Sequence, residues 1–241
     1  MVRKSRKGRE EWKIYKNVFD RFTERNIHEL SSKGYFDELK IPLALGKEAN
    51  VFIATRGEGY VIVKIYRLEN CNFNKMFQYI SADPRYDSLQ NQKRKIVFSW
   101  TQREYRNLMT ARDKVQVPTP IGFKDNIIIM EFIGNGKEAY PPLKDAVPLN
   151  PEDFFLKTIG QIKKLLEAGL VHGDLSEFNI LNKEEEPVFI DMSQSTTIKA
   201  PNSRELFERD VKNIIKFFKK HTDVEGIEQE LSSYFEKQAN V

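Results

Sequence analysis

The hydrophobic pattern switches period along the chain. Within KIVFSWTQREYRNLMTAR, residues 95–112, the positions Val97, Thr101, Glu104 and Leu108 step by four, three and four. That spacing predicts a helix with all four on one face. A similar period predicts helices over 11–30 (Trp12, Tyr15, Phe19, Phe22, Ile27) and over 152–168 (Phe155, Ile159, Ile162, Leu166), the latter ended by Gly169. A last one carries Phe207, Val211, Ile214 and Phe218, with Asn202 or Ser203 as its cap. Short β-branched runs fill the spaces between. IPLALGKEANVFIAT, 41–55, reads as strand, turn, strand, and YVIVKIY, 60–66, as a third strand. Val117-Pro118-Thr119-Pro120 opens a pair that includes Ile127-Ile128-Ile129-Met130. Residues 70–94 are polar and irregular, and 134–150 are rich in turn residues. Helix and strand signals both occur, so the chain is of mixed class.

Two charged positions, one basic and one acidic, disturb this pattern. Lys64 lies inside a buried β-branched run, where a charge needs a partner. Glu104 lies on the inward face of the 95–112 helix and needs a cation, so each is the candidate partner of the other. The stretch LVHGDLSEFNILNKEEEPVFID, 170–191, sets Asp174, Asn179 and Asp191 at the ends of short buried strands. Such positions let a rigid scaffold aim polar groups. Phosphoryl transfer uses that set: one Asp orients a hydroxyl or water, while an Asn and a second Asp offer hard oxygen ligands to Mg²⁺. Taken alone, an Asp–Asn pair is more often simple turn chemistry; the set of His172, Asp174, Asn179 and Asp191 together favours the phosphoryl-transfer reading.

Composition narrows the class. The chain of 241 residues is 40% hydrophobic, enough for a core, and 31% charged with net charge +4, which admits an RNA or phosphate partner without requiring one. One cysteine, Cys71, excludes an internal disulfide and a multi-cysteine zinc site, and suits a reducing, cytoplasmic setting. No apolar run approaches the ~20 residues of a membrane span. The N-terminal MVRKSRKGREEWK lacks the apolar centre of a secretory signal. Its Arg3, Lys4, Arg6, Lys7 and Arg9 read as a basic arm over 1–10 for RNA phosphates, or as a solvated terminus.

GKEANVF, the long 70–94 insertion, a hinge at Met130–Ile133, HGDLSEFNIL and IDMSQS occur in that order. Together they resemble the RIO family of atypical protein kinases, on the branch without an N-terminal winged helix. The resemblance implies an α+β, trimmed two-lobe kinase-like fold: an N-terminal helix plus a β-rich N-lobe over 11–133, and a hinge exit plus a helical C-lobe over 134–241, with ATP and Mg²⁺ (or Mn²⁺) between them. It implies that Gly46, Lys47, Glu48, Ala49 and Val51 cover phosphates, although Ala44 and Leu45 stand where the family usually carries hydroxyls. Lys64 would bind phosphates and pair with Glu104. Met130, Glu131 and Ile133 would meet adenine. Asp174 would orient the nucleophile. Asn179 and Asp191 would bind metal, and Asp191 would accept phosphate transiently as an aspartyl-phosphate.

About ten residues separate Asp191 from the next helix, with no A-P-E, so a peptide-docking activation segment is not expected. Gly173 replaces the Arg that would bind an activation-loop phosphate, and Asp210 is a candidate acceptor for catalytic-loop N–H groups. The implied function is an autophosphorylating serine/threonine kinase and ATPase in late small-ribosomal-subunit maturation, with the pre-ribosomal subunit or its RNA as partner and no membrane role. The rivals are a nucleotide-sensing assembly switch with little kinase activity, a small-molecule phosphotransferase, and a basic RNA-binding module.

Overall fold

The computed structural model describes residues 19–69, 71–80 and 92–240. The basic arm and the expected helical start at Trp12 and Tyr15 lie outside them. Helix α1, Arg21–Ser32, begins at Asp20, whose carboxylate accepts from Phe22 N–H (2.9 Å) and Thr23 N–H (3.0 Å). Three strands follow: β1 (Glu38–Leu45), β2 (Ala49–Arg56) and β3 (Gly59–Tyr66). With β4 (Pro120–Lys124) and β5 (Ile127–Glu131) they form a five-stranded antiparallel sheet in the order β1-β2-β3-β5-β4.

Both faces of the sheet are covered, and the period-two alternation decides what each side chain meets. Phe52, Ala54, Val61, Val63, Ile65, Ile127 and Ile129 form one core with Ile27 and Leu30 of α1. Ile53, Ile62, Tyr66, Ile128 and Met130 join the other, which includes Val97, Trp100 and Leu108. Those three belong to α3, Lys93–Ala111, within two residues of the predicted bounds. Lys64 is in register with Ile62 and Tyr66, so its side chain is directed to the α3 side.

The insertion differs from its expected irregular form. Phe73–Ile80 is a helix, α2, with Met76 and Ile80 buried and Tyr79 edge-on to Trp100 at 5.8 Å. Eight residues give only two turns, too few for a periodic signal to stand out of a polar segment. The rest of the insertion, 81–91, lies outside the described residues.

After a small hairpin, β6 (Gly134–Asn135) and β7 (Glu138–Ala139), the chain is mainly helical. Helix α4, Pro151–Glu167, is capped by Asn150 and followed by Gly169 at φ +77°. Strands β8 (Leu170–Val171), β9 (Ile180–Lys183) and β10 (Glu186–Phe189) lead to a one-turn 3-10 helix, Met192–Gln194. Strand β11 (Thr196–Thr197) then pairs back with β8. Helix α5, Ser203–Phe218, packs Phe218 against Phe155 at 5.0 Å, and α6, Ile227–Ala239, stacks Phe235 on Phe207 at 4.8 Å. Asn202 takes the N-cap position of α5, but neither expected residue caps through its side chain. Asn202 Oδ1 is buried without a partner among the described residues, while Ser203 Oγ donates back to Ile198 O at 2.6 Å.

Asp20→Ala removes the acceptor at the start of α1. It is expected to lower the unfolding free energy by about 1 kcal/mol, with Asp20→Ser retaining most of the stability, measured by urea denaturation.

Candidate active site

The two halves enclose a cavity of about 560 Å³. Val51, Ile62, Met130 and Ile133 line it from the sheet side, and Leu181 and Ile190 from the helical side. Its polar lining includes Lys64, Glu104, Asn179 and Asp191. An apolar cleft with a few convergent polar groups is the usual form of a nucleotide-sized site.

Lys64 Nζ is 2.8 Å from Glu104 Oε1 and 2.9 Å from Asp191 Oδ1. Tyr66 Oη donates to Glu104 Oε2 at 2.5 Å, so both Glu104 oxygens are occupied. Glu104 has no exposed surface. Burial pushes its carboxyl above the ordinary value, against the pull of Lys64. Burial also opposes the charge on Lys64, but Asp191 and Glu104 outweigh it and hold the ammonium well above its ordinary value. Tyr66 is raised by burial and by the Glu104 charge, so it remains a donor.

Asp191 has left-handed backbone, φ +61° and ψ +64°, which Asp tolerates better than most residues. Lys64 Nζ and Ser193 Oγ (2.7 Å) both donate to its Oδ1. Oδ2 accepts no hydrogen bond among the described residues, and the side chain is 40% exposed. Burial would raise its pKa, but Lys64 and Ser193 prevail and bring it to about 2.

The loop over 172–179 is held from α5. Asp210 accepts from Gly173 N–H (2.7 Å) and Leu175 N–H (2.8 Å), the role expected of it. Burial nevertheless pushes Asp210 up to about 7. Asn179 Nδ2 donates to Asp174 O at 2.8 Å, leaving Asn179 Oδ1 without a partner among the described residues. Asp174 Oδ2 accepts from Gln194 Nε2 at 2.9 Å. Burial and the Asp191 charge raise the Asp174 pKa. His172 Nδ1 accepts from Asp174 N–H (3.3 Å) and its Nε2–H donates to Ile190 O (3.1 Å), which defines a neutral tautomer. Burial lowers its pKa to about 4.

Of the expected residues, Val51, Lys64, Glu104, Met130, Glu131, Ile133, Asn179 and Asp191 line this one cavity. Gly46, Lys47, Glu48 and Ala49 stand outside its wall, at the β1–β2 turn. There Gly46 N–H closes on Ala49 O (3.0 Å) and Glu48 O accepts from Arg67 N–H (2.9 Å). Asp174 also lies beyond the lining, joined to the site through Asn179 and Gln194. Tyr66, Ser193 and Gln194 were not expected; each is a neutral donor to a carboxylate, and which carboxylate it meets is set by the fold. Among the described residues no group of three or more His, Cys, Asp or Glu is placed to hold a metal, and no helix is long and apolar enough to cross a membrane. The unused Asn179 Oδ1 and Asp191 Oδ2 still fit Mg²⁺, which commonly takes one or two protein oxygens and completes its shell with phosphate and water.

A five-stranded sheet over a helical half, with a buried Lys–Glu pair reaching an Asp across the cleft, is a kinase-like architecture. Residues 50–231 match the family model described as RIO domain. The RIO-type serine/threonine-protein kinases Rio1 of Methanocaldococcus jannaschii and Haloferax volcanii are 39% and 36% identical to this chain. Each match covers 91% of it, and 76% and 77% of the relatives. A crystal structure of the Rio2 kinase-ADP/Mg²⁺-phosphoaspartate complex from Chaetomium thermophilum superposes with a TM-score of 0.65 at 20% identity. That match covers 89% of this chain and 64% of the other. The chain belongs to the RIO family.

Two predictions follow from the buried charges. Lys64→Met strands Glu104 and is expected to cost about 3–5 kcal/mol of stability, most of it recovered in Lys64→Met/Glu104→Leu, as read by a denaturation cycle. His172 binds a proton less readily folded (about 4) than unfolded (about 6.5), so its stabilisation is full above pH 6.5 and is lost as pH falls towards 4. Asp210, raised to about 7, has the opposite sign over much of that window. His172→Asn isolates the histidine: its stability deficit relative to wild type should be about 2 kcal/mol smaller at pH 5 than at pH 8, measured by urea denaturation at both.

Proposed function

We propose that this protein is a Mg–ATP-dependent serine/threonine kinase and ATPase that phosphorylates itself and serves late small-ribosomal-subunit maturation. The observation that carries the chemistry is Lys64, held between Glu104 and Asp191 beside an apolar cavity. Bound Mg–ATP would supply the transferable phosphoryl group. Lys64 neutralises phosphate oxygens, and its geometry is set by Glu104. Asn179 Oδ1 and Asp191 Oδ2 would hold Mg²⁺, and Mn²⁺, another oxygen-seeking cation, would substitute for it. Asp174 Oδ1 orients the attacking hydroxyl or water. At the hinge, the Ile133 carbonyl is taken by Tyr140 N–H (3.1 Å), so its own N–H is the group to meet adenine. Asp191 also accepts phosphate transiently: its Oδ–P bond forms as the β–γ bridge breaks and ADP leaves. The β1–β2 turn at Gly46–Ala49 covers the ATP phosphates through its backbone and Lys47, and the basic arm serves RNA, in the cytoplasm.

One observation favours a second reading, an assembly switch with little activity on other proteins. Eleven residues, 192–202, join Asp191 to α5, and part of that link is occupied by the 3-10 turn and β11. That leaves little chain for a peptide-docking platform.

The test follows γ-labelled ATP with Mg²⁺ into free phosphate and into protein. The expected result is label in both, reduced about 100-fold or more in Asp174→Asn and Asp191→Asn. Acid-stable label assigns a serine or threonine acceptor, and hydroxylamine-sensitive label assigns Asp191. ATP binding with no label anywhere would overturn the kinase reading in favour of the switch.

A further inference from the structure

We propose that Gln194 is a positioning residue that fixes which oxygen of Asp174 faces substrate, and that Gly173 is the condition that lets it do so. The catalytic part of this inference rests on the phosphotransfer reading above.

Gln194 ends the 3-10 turn after Asp191 and is 8% exposed. Its Nε2 donates to Asp174 Oδ2 at 2.9 Å. Its Oε1 is buried with no hydrogen-bond partner among the described residues. A buried carboxamide with one end unsatisfied is costly, so general polar satisfaction does not explain it. The one side-chain bond it makes is to Asp174. That bond engages Oδ2 and leaves Oδ1, which accepts nothing among the described residues, as the oxygen to meet a hydroxyl. Without the donor the two oxygens interchange by rotation of the carboxylate.

The turn that carries Gln194 is fixed from α3. Asn107 Nδ2 donates to Met192 O and Ser195 O, both at 2.9 Å. Arg103 Nε and Nη2 donate to Ser195 O at 3.1 and 2.9 Å. The catalytic loop is fixed from α5, by Asp210, by Asn213 to Leu175 O (3.1 Å) and by Arg209 to Gly173 O. The two segments meet at Gly173, φ +79°, where a Cβ would stand 2.8 Å from Gln194 O. Only glycine permits that approach. Lys75 and Arg209 also act on Asp174 electrostatically, as do Asp191 and Glu48, but none of them bonds its carboxylate. The bond comes from a neutral donor, which orients the carboxylate without neutralising it.

The test reads the bond and the chemistry separately. In the wild type the Gln194 side-chain N–H resonances are expected to be shifted and slow to exchange, and to lose both features in Asp174→Ala. Gln194→Met, matched in size but without a donor, should lower kcat for label transfer from γ-labelled ATP by about 10- to 100-fold. KM for ATP should stay within about two-fold, and the unfolding midpoint should not move. A packing role would leave kcat intact in Gln194→Met, because Met fills the same space. Gln194 resonances indifferent to Asp174→Ala, or wild-type kcat in Gln194→Met, would overturn the proposal. If the bond is present while the wild type transfers no label, the positioning of Asp174 stands and the phosphotransfer reading falls.

Discussion

A lysine cannot be buried in a β-sheet without company. Lys64 is 8% exposed, and the chain supplies it with two carboxylates from distant segments. Either carboxylate alone would leave the site short of its geometry: Glu104 anchors the ammonium to α3, and Asp191 carries it across the cleft. Sheet, helix and the segment after β10 must therefore all be in place before any of the three charges is tolerable in low dielectric. Tyr66 completes the set by occupying the second Glu104 oxygen. Much of the remaining architecture can be understood as what holds these elements in register.

The helical half solves a different problem, the aim of a short polar loop. Here the solution is backbone hydrogen bonding. Asp210, buried at 3% exposure, fixes two loop N–H groups. Its raised pKa shows what that burial costs, since desolvation outweighs two good hydrogen bonds. His172 adds a neutral link between the loop and Ile190, next to Asp191. The loop and the Asp191 segment thus share one rigid frame.

Much of this was legible in the residues. Lys64 inside the β-branched run YVIVKIY marks a charge in need of a partner, and the four-three-four steps around Glu104 put that acid on the inward helix face. HGDLSEFN and the IDMS turn mark the opposite wall. What was hidden has common causes. Helix α2 is too short for its period to emerge. Asn202 and Ser203 both suit a helix cap, but a tertiary bond to Ile198 O claims the Ser203 hydroxyl. Gln194 and Tyr66 are neutral donors whose carboxylate partners, Asp174 and Glu104, are decided only by the fold.

The clamp from α3 onto the turn at 192–195 bears on conformational freedom. In a kinase-like scaffold the obvious motion is an outward swing of the helix that carries the glutamate. Here such a swing would break the bonds of Asn107 and Arg103 to Met192 O and Ser195 O as well as the ion pair. At about 0.5–1.5 kcal/mol net for each of these four hydrogen bonds, the displaced state lies about 2–6 kcal/mol above the clamped one, a few per cent of molecules at most. Helix α3 and the segment 192–195 are thereby tied into one body.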